Sequence, residues 1–306
     1  MKYIHDSTEI SRDKECVVVL GNFDGIHVGH QKLLQEARNI ARNNNIEVVA
    51  FSFYPPTTWV VSSNKKKLIV SREEKVKLMK FYGVDTFIEY PFDLTFSKIT
   101  AEEFFQKILM KRLKAKSIVI GENYHFGAGG EGSSEYLMHL GKNNRINVNI
   151  VSTVKILDKV VSSSAIRSYI TEGNIELVNK MLGRNYSVEG EVMHGKQLGR
   201  TIGFPTANLS TDENRIYPPN GVYASSIDIQ DKSYLGITNI GMNPTVSGEN
   251  KVIETNIFDF SGDIYNKSIK VNLYKHIRYE KKFNSLEELK CQILQDSESV
   301  KRFFCK

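Results

Sequence analysis

Residues 16–34 read CVVVLGNFDGIHVGHQKLL, and this stretch decides the fold of the first half of the chain. The apolar run at 16–21 is typical of a buried strand, and a glycine-rich turn follows it before a helix that begins near Gly29. Such a junction directs free backbone N–H groups and the positive end of the helix dipole outward, where anions bind. The sequence therefore predicts an anion site in this turn.

Two histidines, His27 and His30, stand three residues apart in the same turn. At that spacing both side chains can face one ligand, and histidine can donate to phosphate oxygens whose charge grows during phosphoryl transfer. The alternative is that the two side chains only cap the helix and pack. Their place after the first strand of an α/β unit favours the functional interpretation.

Strand-like and helix-like segments alternate through the rest of the first half. The further apolar runs lie at 47–53, 117–121 and 147–151. Between them, Ser71 and Thr100 each precede a glutamate by three residues, which is the capping-box pattern of a helix start. This alternation predicts a parallel sheet covered by helices, in a Rossmann-like α/β domain.

The pattern changes after residue 184. Four strand-like runs joined by short turns follow, with no helical period among them. They lie at 221–229, 234–241, 254–260 and 268–274. This pattern predicts an antiparallel barrel or sandwich, and a last helix should begin near Ser285. We therefore expect two domains, at 1–184 and 185–306.

The bulk composition of the 306 residues limits the possible partners. A net charge of +6 suits phosphate-bearing ligands and also nucleic acid, but no RNA-recognition motif is visible, so no nucleic-acid partner is expected. The three cysteines include no pair at metal or redox spacing, which is typical of a reduced cytosol. The first residues have no signal-peptide core and no apolar run is long enough to span a bilayer, so we expect a cytoplasmic protein without a membrane partner. The oligomeric state stays open.

Two more polar patches lie in the first half. Residues 121–127 read GENYHFG, with Asn123 just after a strand, and residues 161–167 read VSSSAIR. Hydroxyl groups at a helix start and the Arg167 guanidinium make a second anion site. On spacing alone, Asn123 is also a common turn residue and the serines are also common N-caps.

The second half has a glycine-rich stretch of its own, GKQLGRTIGFPTANL at 195–209. Gly195 and Gly203 would let the backbone approach phosphates closely. Thr206 and Asn208 then supply a hydroxyl and an amide oxygen, hard ligands that suit Mg²⁺ bound with ATP. On spacing alone this is only a glycine loop before a strand.

The segment GNFDGIHVGH resembles the HxGH signature of the nucleotidyltransferase superfamily, in the flavin form found in bacterial bifunctional riboflavin kinase/FAD synthetases. In that family the two histidines bind ATP phosphates during adenylyl transfer, and the resemblance implies this role for His27 and His30. It also implies that Asn123 contacts nucleotide or flavin. The other residues implied to bind nucleotide or flavin in this half are Gly21, Phe23, Asp24, Gly29, Ser163, Ser164 and Arg167.

Residues 195–208 match GxxxGRxxGFPTAN, the hallmark of riboflavin kinases, and further segments of that family follow in order. These are PPNGVYA at 218–224, NIGMNPTV at 239–246, ETNIFDF at 254–260 and a stretch at 277–296. The resemblance implies that Thr206 and Asn208 bind Mg²⁺ and ATP, with Gly195 and Gly203 beside the nucleotide. Glu254 is implied as general base on the riboflavin 5′-hydroxyl. Arg278 either contacts the flavin nucleotide or stabilises the last helix.

Together the resemblances imply a Rossmann-like nucleotidyltransferase domain followed by a riboflavin kinase domain that is an antiparallel β-barrel with a terminal helix. They imply an enzyme that phosphorylates riboflavin to FMN with ATP, and then adenylylates FMN to FAD with release of pyrophosphate. One departure lies in FSFYPPTTWV at 51–60, where Pro56 and Thr57 replace the His-Pro pair of the family. One alternative is therefore a protein that retains a single activity, with adenylyl transfer the one lost. A second alternative, from another class, is a flavin-sensing regulator that binds RNA.

Overall fold

The computed structural model describes residues 1–62, 65–195, 199, 203–245 and 248–305, and of 243–245 and 248–250 only the backbone. The chain forms two compact units, Met1–Ser163 and Ser164–Lys306. In the described ranges, no helix is both long and apolar enough to cross a membrane.

The first unit is built on a six-stranded sheet in which every neighbouring pair is parallel. The strands are β1 (Lys2–His5), β2 (Cys16–Leu20), β3 (Glu47–Tyr54), β4 (Thr86–Pro91), β5 (Ala115–Gly121) and β6 (Asn147–Val151). Their spatial order is β1-β4-β3-β2-β5-β6. The predicted parallel α/β sheet is confirmed, and β1 and β4 extend it beyond the four strands that the sequence indicated.

Helices cover both faces of this sheet. They are α1 (Val28–Asn44), α2 (Thr57–Val61), α3 (Arg72–Phe81), α4 (Ala101–Glu103, continuing as a π-helix over Phe104–Arg112) and α5 (Ser134–Asn143). Val17 and Val19 of β2 belong to the core that includes α1 and α3, whereas Val18 and Leu20 belong to the core that includes the π-helix and α5. Burial on both faces explains why β2 is apolar at every position.

The strand order fixes where a ligand can bind. The chain passes from β2 to β3 on one side, whereas β5 pairs with β2 on the other side. In open parallel sheets, the crevice outside the carboxyl ends of two such strands is the usual ligand site. Gly21 follows β2 and Asn123 follows β5. The fold therefore brings two of the predicted patches to one edge.

The second unit is a closed antiparallel barrel with helices around it. The first unit ends with a small hairpin of β7 (Lys155–Ile156) and β8 (Lys159–Val160). The elements that follow are α6 (Ser163–Glu172), α7 (Ile175–Leu182), β9 (Tyr186–Met193), β10 (Thr206–Leu209), β11 (Gly221–Ile229), β12 (Lys232–Thr245), β13 (Gly248–Ile257), β14 (Ser268–Tyr279) and α8 (Leu286–Phe304). The barrel order is β10-β13-β12-β11-β14-β9, and pairing of Asn208 with Met193 closes it. Because the sheet closes on itself, this unit is a barrel and not a sandwich.

The last helix begins where the sequence predicts it. Ser285 is the N-cap of α8, and its hydroxyl accepts from the backbone N–H of Glu288 at 3.1 Å. Val300 of α8 is fully buried in a cluster with Val222 and Ile237 of the barrel. This packing holds α8 on the outside of the barrel, next to the cleft described below.

Candidate active sites

The turn after β2 is shaped by left-handed backbone. Phe23, Gly25 and Ile26 have φ angles of 51°, 79° and 37°. The Asp24 carboxylate accepts from the backbone N–H of Ile69 at 3.0 and 3.3 Å, which ties the turn to a neighbouring loop. Non-glycine residues are rare in this region of φ, so the surrounding contacts must hold the turn in place.

His27 and His30 lie side by side in this turn. Their rings stack at 3.7 Å between centroids, with an interplanar angle of 15°. His27 is the N-cap of α1, and its Nδ1 accepts from the His30 N–H at 3.3 Å. A Cβ on Gly29 would lie 3.1 Å from the His27 ring, so glycine allows the imidazole to sit against the helix start. His27 therefore caps α1 and lies at the positive end of the helix dipole.

The environment of His30 keeps its imidazole neutral. Burial first, then His27 and the Lys75 ammonium, lower the pKa of His30 well below 6.5. The side chain keeps some exposure, but its Nδ1 is buried and bonds to no other described group. A buried ring nitrogen without a partner is costly in a folded protein, and a ligand that hydrogen-bonds the imidazole offsets that cost.

Beside this turn is an aromatic cleft of about 650 Å³. Its lining includes Gly21 and Asn22 after β2, and Asn123 and Phe126 after β5. The rings that line it are Phe51, Phe53, Phe92, Phe96, Phe104, Tyr124, His125 and Phe126. A wall of this kind suits a flat aromatic ligand, because ring faces stack at little entropic cost.

Two other sequence features reach this cleft. Thr57, the second residue of the altered Pro56-Thr57 pair, lies in its lining at the start of α2. Gly127, Gly129 and Gly130 form part of the wall, and the Glu131 carboxylate accepts from the backbone N–H of Ala101 at 2.8 Å. The departure from the family pattern therefore lies at the site itself.

The predicted patch at 161–167 has residues in both units. The Ser163 hydroxyl donates to the Asp24 carbonyl oxygen at 2.9 Å, which brings Ser163 to the histidine turn. Ser164 and Arg167 follow on α6 and belong to the second unit.

The barrel brings a second set of predicted residues together through strand register. Glu254 of β13 pairs with Asn208 of β10 on one side and with Asn239 of β12 on the other. Thr206 pairs with Asn256 in the same ladder. Because side chains alternate along a strand, all five project from the same face of the sheet.

This face opens into a cleft of about 660 Å³, bordered by α8. Thr206, Asn239, Glu254 and Asn256 line it on the barrel side. Residues from the segment before α8 and from the helix complete it, namely Lys281, Lys282, Phe283, Leu286, Leu289 and Ile293. The cleft thus combines oxygen-bearing side chains at one wall with apolar side chains at the other.

The glycine motif lies next to this set as far as the structure describes it. Residues 196–198 and 200–202 of the motif, and residue 246 of the 239–246 segment, lie outside the described residues. A Cβ on Gly195 would lie 2.5 Å from Asn208 Nδ2, so the glycine lets the backbone pass close to this amide. Gly203 has a φ of +87°, which favours glycine.

Arg278 bonds to the last helix. Its guanidinium donates to the Asp296 carboxylate from Nε at 2.9 and 3.1 Å and from Nη2 at 2.7 Å. Asp296 is 4% exposed. Both residues also line the cleft, so this ion pair fixes α8 against β14 at the edge of the site.

A smaller cleft of about 420 Å³ lies against Thr206 and was not foreseen from the sequence. Phe260, Ile264 and Tyr265 line it, and the Tyr265 ring stacks on His194 at 3.9 Å. His194 follows β9, Thr206 begins β10, and residues 260–265 follow β13. No spacing in the chain therefore signals that they meet.

Comparison with known proteins assigns a family to each half of the chain. A family model described as FAD synthetase matches residues 9–165, and one described as riboflavin kinase matches residues 182–304. Among the relatives are proteins named bifunctional riboflavin kinase/FMN adenylyltransferase. The one from Buchnera aphidicola subsp. Schizaphis graminum is 37% identical to this chain, and the match covers 98% of this chain and 97% of the relative. The one from Escherichia coli K12 is 35% identical, and the match covers 98% of this chain and 96% of the relative. The one from Bacillus subtilis is 35% identical, covering 99% and 98%.

A solved structure has the same fold over its whole length. It is titled a macrolide-efflux protein from Streptococcus pneumoniae, and it matches with a TM-score of 0.90 and 34% identity over 98% of this chain and 99% of that one. The two family models match the two halves of the chain in order, and the relatives are above 30% identity over nearly its full length. Both findings support the same family. The chain belongs to the bifunctional riboflavin kinase/FMN adenylyltransferase family.

Proposed function

We propose that the two sites divide the work of this enzyme, which makes FMN from riboflavin and FAD from FMN. The barrel phosphorylates riboflavin, and the parallel-sheet unit adenylylates the resulting FMN. The observation that carries this division is that each unit holds its own cleft beside its own set of phosphate-binding features. ATP is the co-substrate at both sites.

In the barrel, we assign Glu254 as the general base. Its carboxylate takes the proton of the riboflavin 5′-hydroxyl while that oxygen bonds to the γ-phosphorus of ATP and the bond to the β-phosphate oxygen breaks. The register of β10, β13 and β12 supports this assignment, because it sets Glu254 beside Asn208 and Asn239 on the cleft face. The flavin ring then lies toward Phe283 and α8, where the wall is apolar.

The donors Thr206 and Asn208 fit a magnesium ion that arrives with ATP. A hydroxyl and an amide oxygen are hard ligands, and Mg²⁺ in nucleotide sites takes few protein ligands beside phosphates and water. When bound, the ion neutralises charge on the phosphoryl oxygens. The smaller cleft against Thr206, with Phe260 and the stacked Tyr265, suits the base of the same nucleotide.

In the first unit, an FMN phosphate oxygen attacks the α-phosphorus of ATP and pyrophosphate leaves. The N–H groups of His27 and His30 and the start of α1 stabilise the charge that grows on the phosphate oxygens. The stacked geometry supports this role, since both rings stand together at the positive end of the helix. The aromatic cleft takes the flavin ring, with Asn123 at its edge.

Chromatography of the products formed from riboflavin or from FMN, each with Mg²⁺ and ATP, tests the proposal. The parent enzyme should form FAD from both substrates. Glu254→Gln should abolish FMN formation from riboflavin yet still convert FMN to FAD, whereas His30→Asn should accumulate FMN from riboflavin. If one variant removes both activities while the protein stays folded, the division of labour is wrong.

The same assay decides the single-activity alternative, which the position of Thr57 in the flavin cleft motivates. If the parent enzyme makes FMN but no FAD, adenylyl transfer is lost in this chain. Restoring histidine and proline at Pro56 and Thr57 should then recover FAD formation.

We also propose that the enzyme works in the cytoplasm. The three cysteines, of which Cys16 is buried, are free thiols and form no disulfide with one another. Cell fractionation with an antibody against the chain checks this, and recovery in a membrane or secreted fraction would contradict it.

A further inference from the structure

A buried ionic cluster lies behind the histidine turn, formed by Tyr3, Arg72, Lys75 and Glu89. Glu89 of β4 is 1% exposed. Its carboxylate accepts from the Tyr3 hydroxyl at 2.6 Å, from Arg72 Nε at 2.7 Å and from Lys75 Nζ at 3.1 Å. Burial opposes ionisation of Glu89, but the Lys75 charge and the donors of Tyr3 and Arg72 outweigh it and lower its pKa.

The two oxygens of the Glu89 carboxylate accept from different donors of the cluster. Tyr3 and Arg72 donate to Oε2, whereas Lys75 donates to Oε1, so two cations face one buried anion. A further anion beside the cluster is Asp6, whose side chain is 64% exposed and lies 3.4 Å from Arg72. The Lys75 side chain is 12% exposed. An ammonium that buried needs hydrogen-bond acceptors, and beside Glu89 it has a second one, the Ser52 hydroxyl.

Lys75 connects the cluster to the histidine turn. Its Nζ donates to the Ser52 hydroxyl at 3.2 Å, and that hydroxyl donates to the Asn22 carbonyl oxygen at 3.3 Å. Ser52 is 2% exposed and pairs with Glu89 in the ladder of β3 and β4. Asn22 is the residue between Gly21 and Phe23, where the turn leaves β2. The contacts thus run from α3 through β3 to the start of the turn.

We propose that Lys75 is a positioning residue for adenylyl transfer, which holds the Asn22 end of the histidine turn through Ser52 while Glu89 fixes the ammonium in place. The proposal rests on the role proposed above for His27 and His30. Lys75 touches neither histidine by a hydrogen bond that the structure describes, so it acts through the turn and through its charge. That charge reaches His30, whose pKa Lys75 helps to lower after burial and His27.

The test replaces Lys75 by methionine and measures both activities of the full-length enzyme. Glu89 keeps Arg72 and Tyr3 on Oε2, so its charge stays paired, while Oε1 loses the ammonium from which it accepts. We expect kcat/KM for FMN adenylylation to fall about 10- to 100-fold, the size expected when a reacting group is misplaced. Riboflavin phosphorylation by the same molecules should be unchanged, which shows that the chain is folded. Lys80→Met, on an exposed position of α3, is the matched control.

Two further variants, together with the control and the histidine variant already described, make each outcome decisive. Lys75→Arg keeps the charge and the donors and should recover most of the lost adenylylation, whereas a loss that follows stability alone would not be rescued. Ser52→Ala removes only the bridge and should lower adenylylation alone, and it decides the matter if Lys75→Met loses both activities. Equal behaviour of Lys75→Met and Lys80→Met overturns the inference. Full adenylylation by His30→Asn overturns the histidine site instead, and with it this inference.

His30 supplies a readout that protein stability does not affect. The groups that act on its titration are His27 on the same turn and Lys75 from α3. Removing the Lys75 ammonium should let His30 protonate more readily, so its NMR titration should move to higher pH in Lys75→Met. An unchanged titration contradicts the effect of the Lys75 charge on the histidine turn.

Discussion

Gly29 shows how one missing side chain shapes the histidine turn. A methyl group there would meet the His27 ring at 3.1 Å, and the stacked pair would have to shift by a few tenths of an ångström. Gly29→Ala should therefore lower FMN adenylylation about tenfold, since small misplacements of catalytic groups are costly. Alanine is also the better helix former, so the melting temperature should stay level or rise. Steady-state kinetics and thermal unfolding check this, and equal losses of activity and stability would contradict it.

His30 couples the stability of the enzyme to pH. The unfolded chain protonates this histidine near pH 6.5, whereas burial, His27 and Lys75 keep it neutral in the folded state to lower pH. The unfolded state therefore binds more protons below pH 6.5, and the free energy of unfolding falls as the pH drops below that value. His30→Gln should remove up to about 1.4 kcal/mol of this loss per pH unit. Urea unfolding of both proteins at pH values above and below 6.5 checks the sign, which is wrong if the parent loses no more than the variant.

At the scale of elements, the ion pair of Arg278 and Asp296 joins β14 to α8 beside the barrel cleft of about 660 Å³. Asp296→Asn should cost about 2–3 kcal/mol, at the low end for a buried pair because the Arg278 side chain keeps 23% exposure. It should also raise KM for riboflavin, since α8 forms one wall of the cleft. Glu298→Gln, an exposed position on the same helix, is the control. Chemical unfolding and kinase kinetics measure the two effects. A normal KM for riboflavin in Asp296→Asn would show that the ion pair has no influence on substrate binding.

The sequence predicted those elements whose signal is local. The run 16–21 and the pair His27 and His30 lie within one stretch, and the structure places them as a strand, a turn and a helix start. The pattern of strand-like runs alone left a barrel and a sandwich open, because closure depends on pairing between β9 and β10, and the barrel that the resemblance to riboflavin kinases implies is confirmed. The aromatic cleft was out of reach of any local pattern. Phe53 lies on β3, whereas Phe92 and Phe96 follow β4, and they meet only because β3 and β4 are neighbours in the sheet.

At the scale of the whole molecule, the point at which the chain divides stays a prediction to be tested. Residue patterns placed the boundary at 184/185, whereas the compact units meet between Ser163 and Ser164. The helix α7 lies between these positions and packs on β14 and β9. Asn179 of α7 donates to the Leu273 carbonyl oxygen at 2.8 Å and accepts from the Tyr186 N–H at 2.7 Å. These contacts make α7 part of the barrel unit.

Two fragments separate the alternatives. A fragment of residues 164–306 keeps α7 and should fold and phosphorylate riboflavin with a KM close to that of the full chain. A fragment of residues 185–306 loses Val178, Met181 and Leu182, which are 0%, 0% and 1% exposed, and each such side chain contributes about 1.5–3 kcal/mol when buried. It also removes the Asn179 side chain, which bonds to the Leu273 carbonyl and to the Tyr186 N–H. The shorter fragment should therefore melt at a much lower temperature or fail to fold, whereas equal melting temperatures and equal kinase activity would place the working boundary at 184/185.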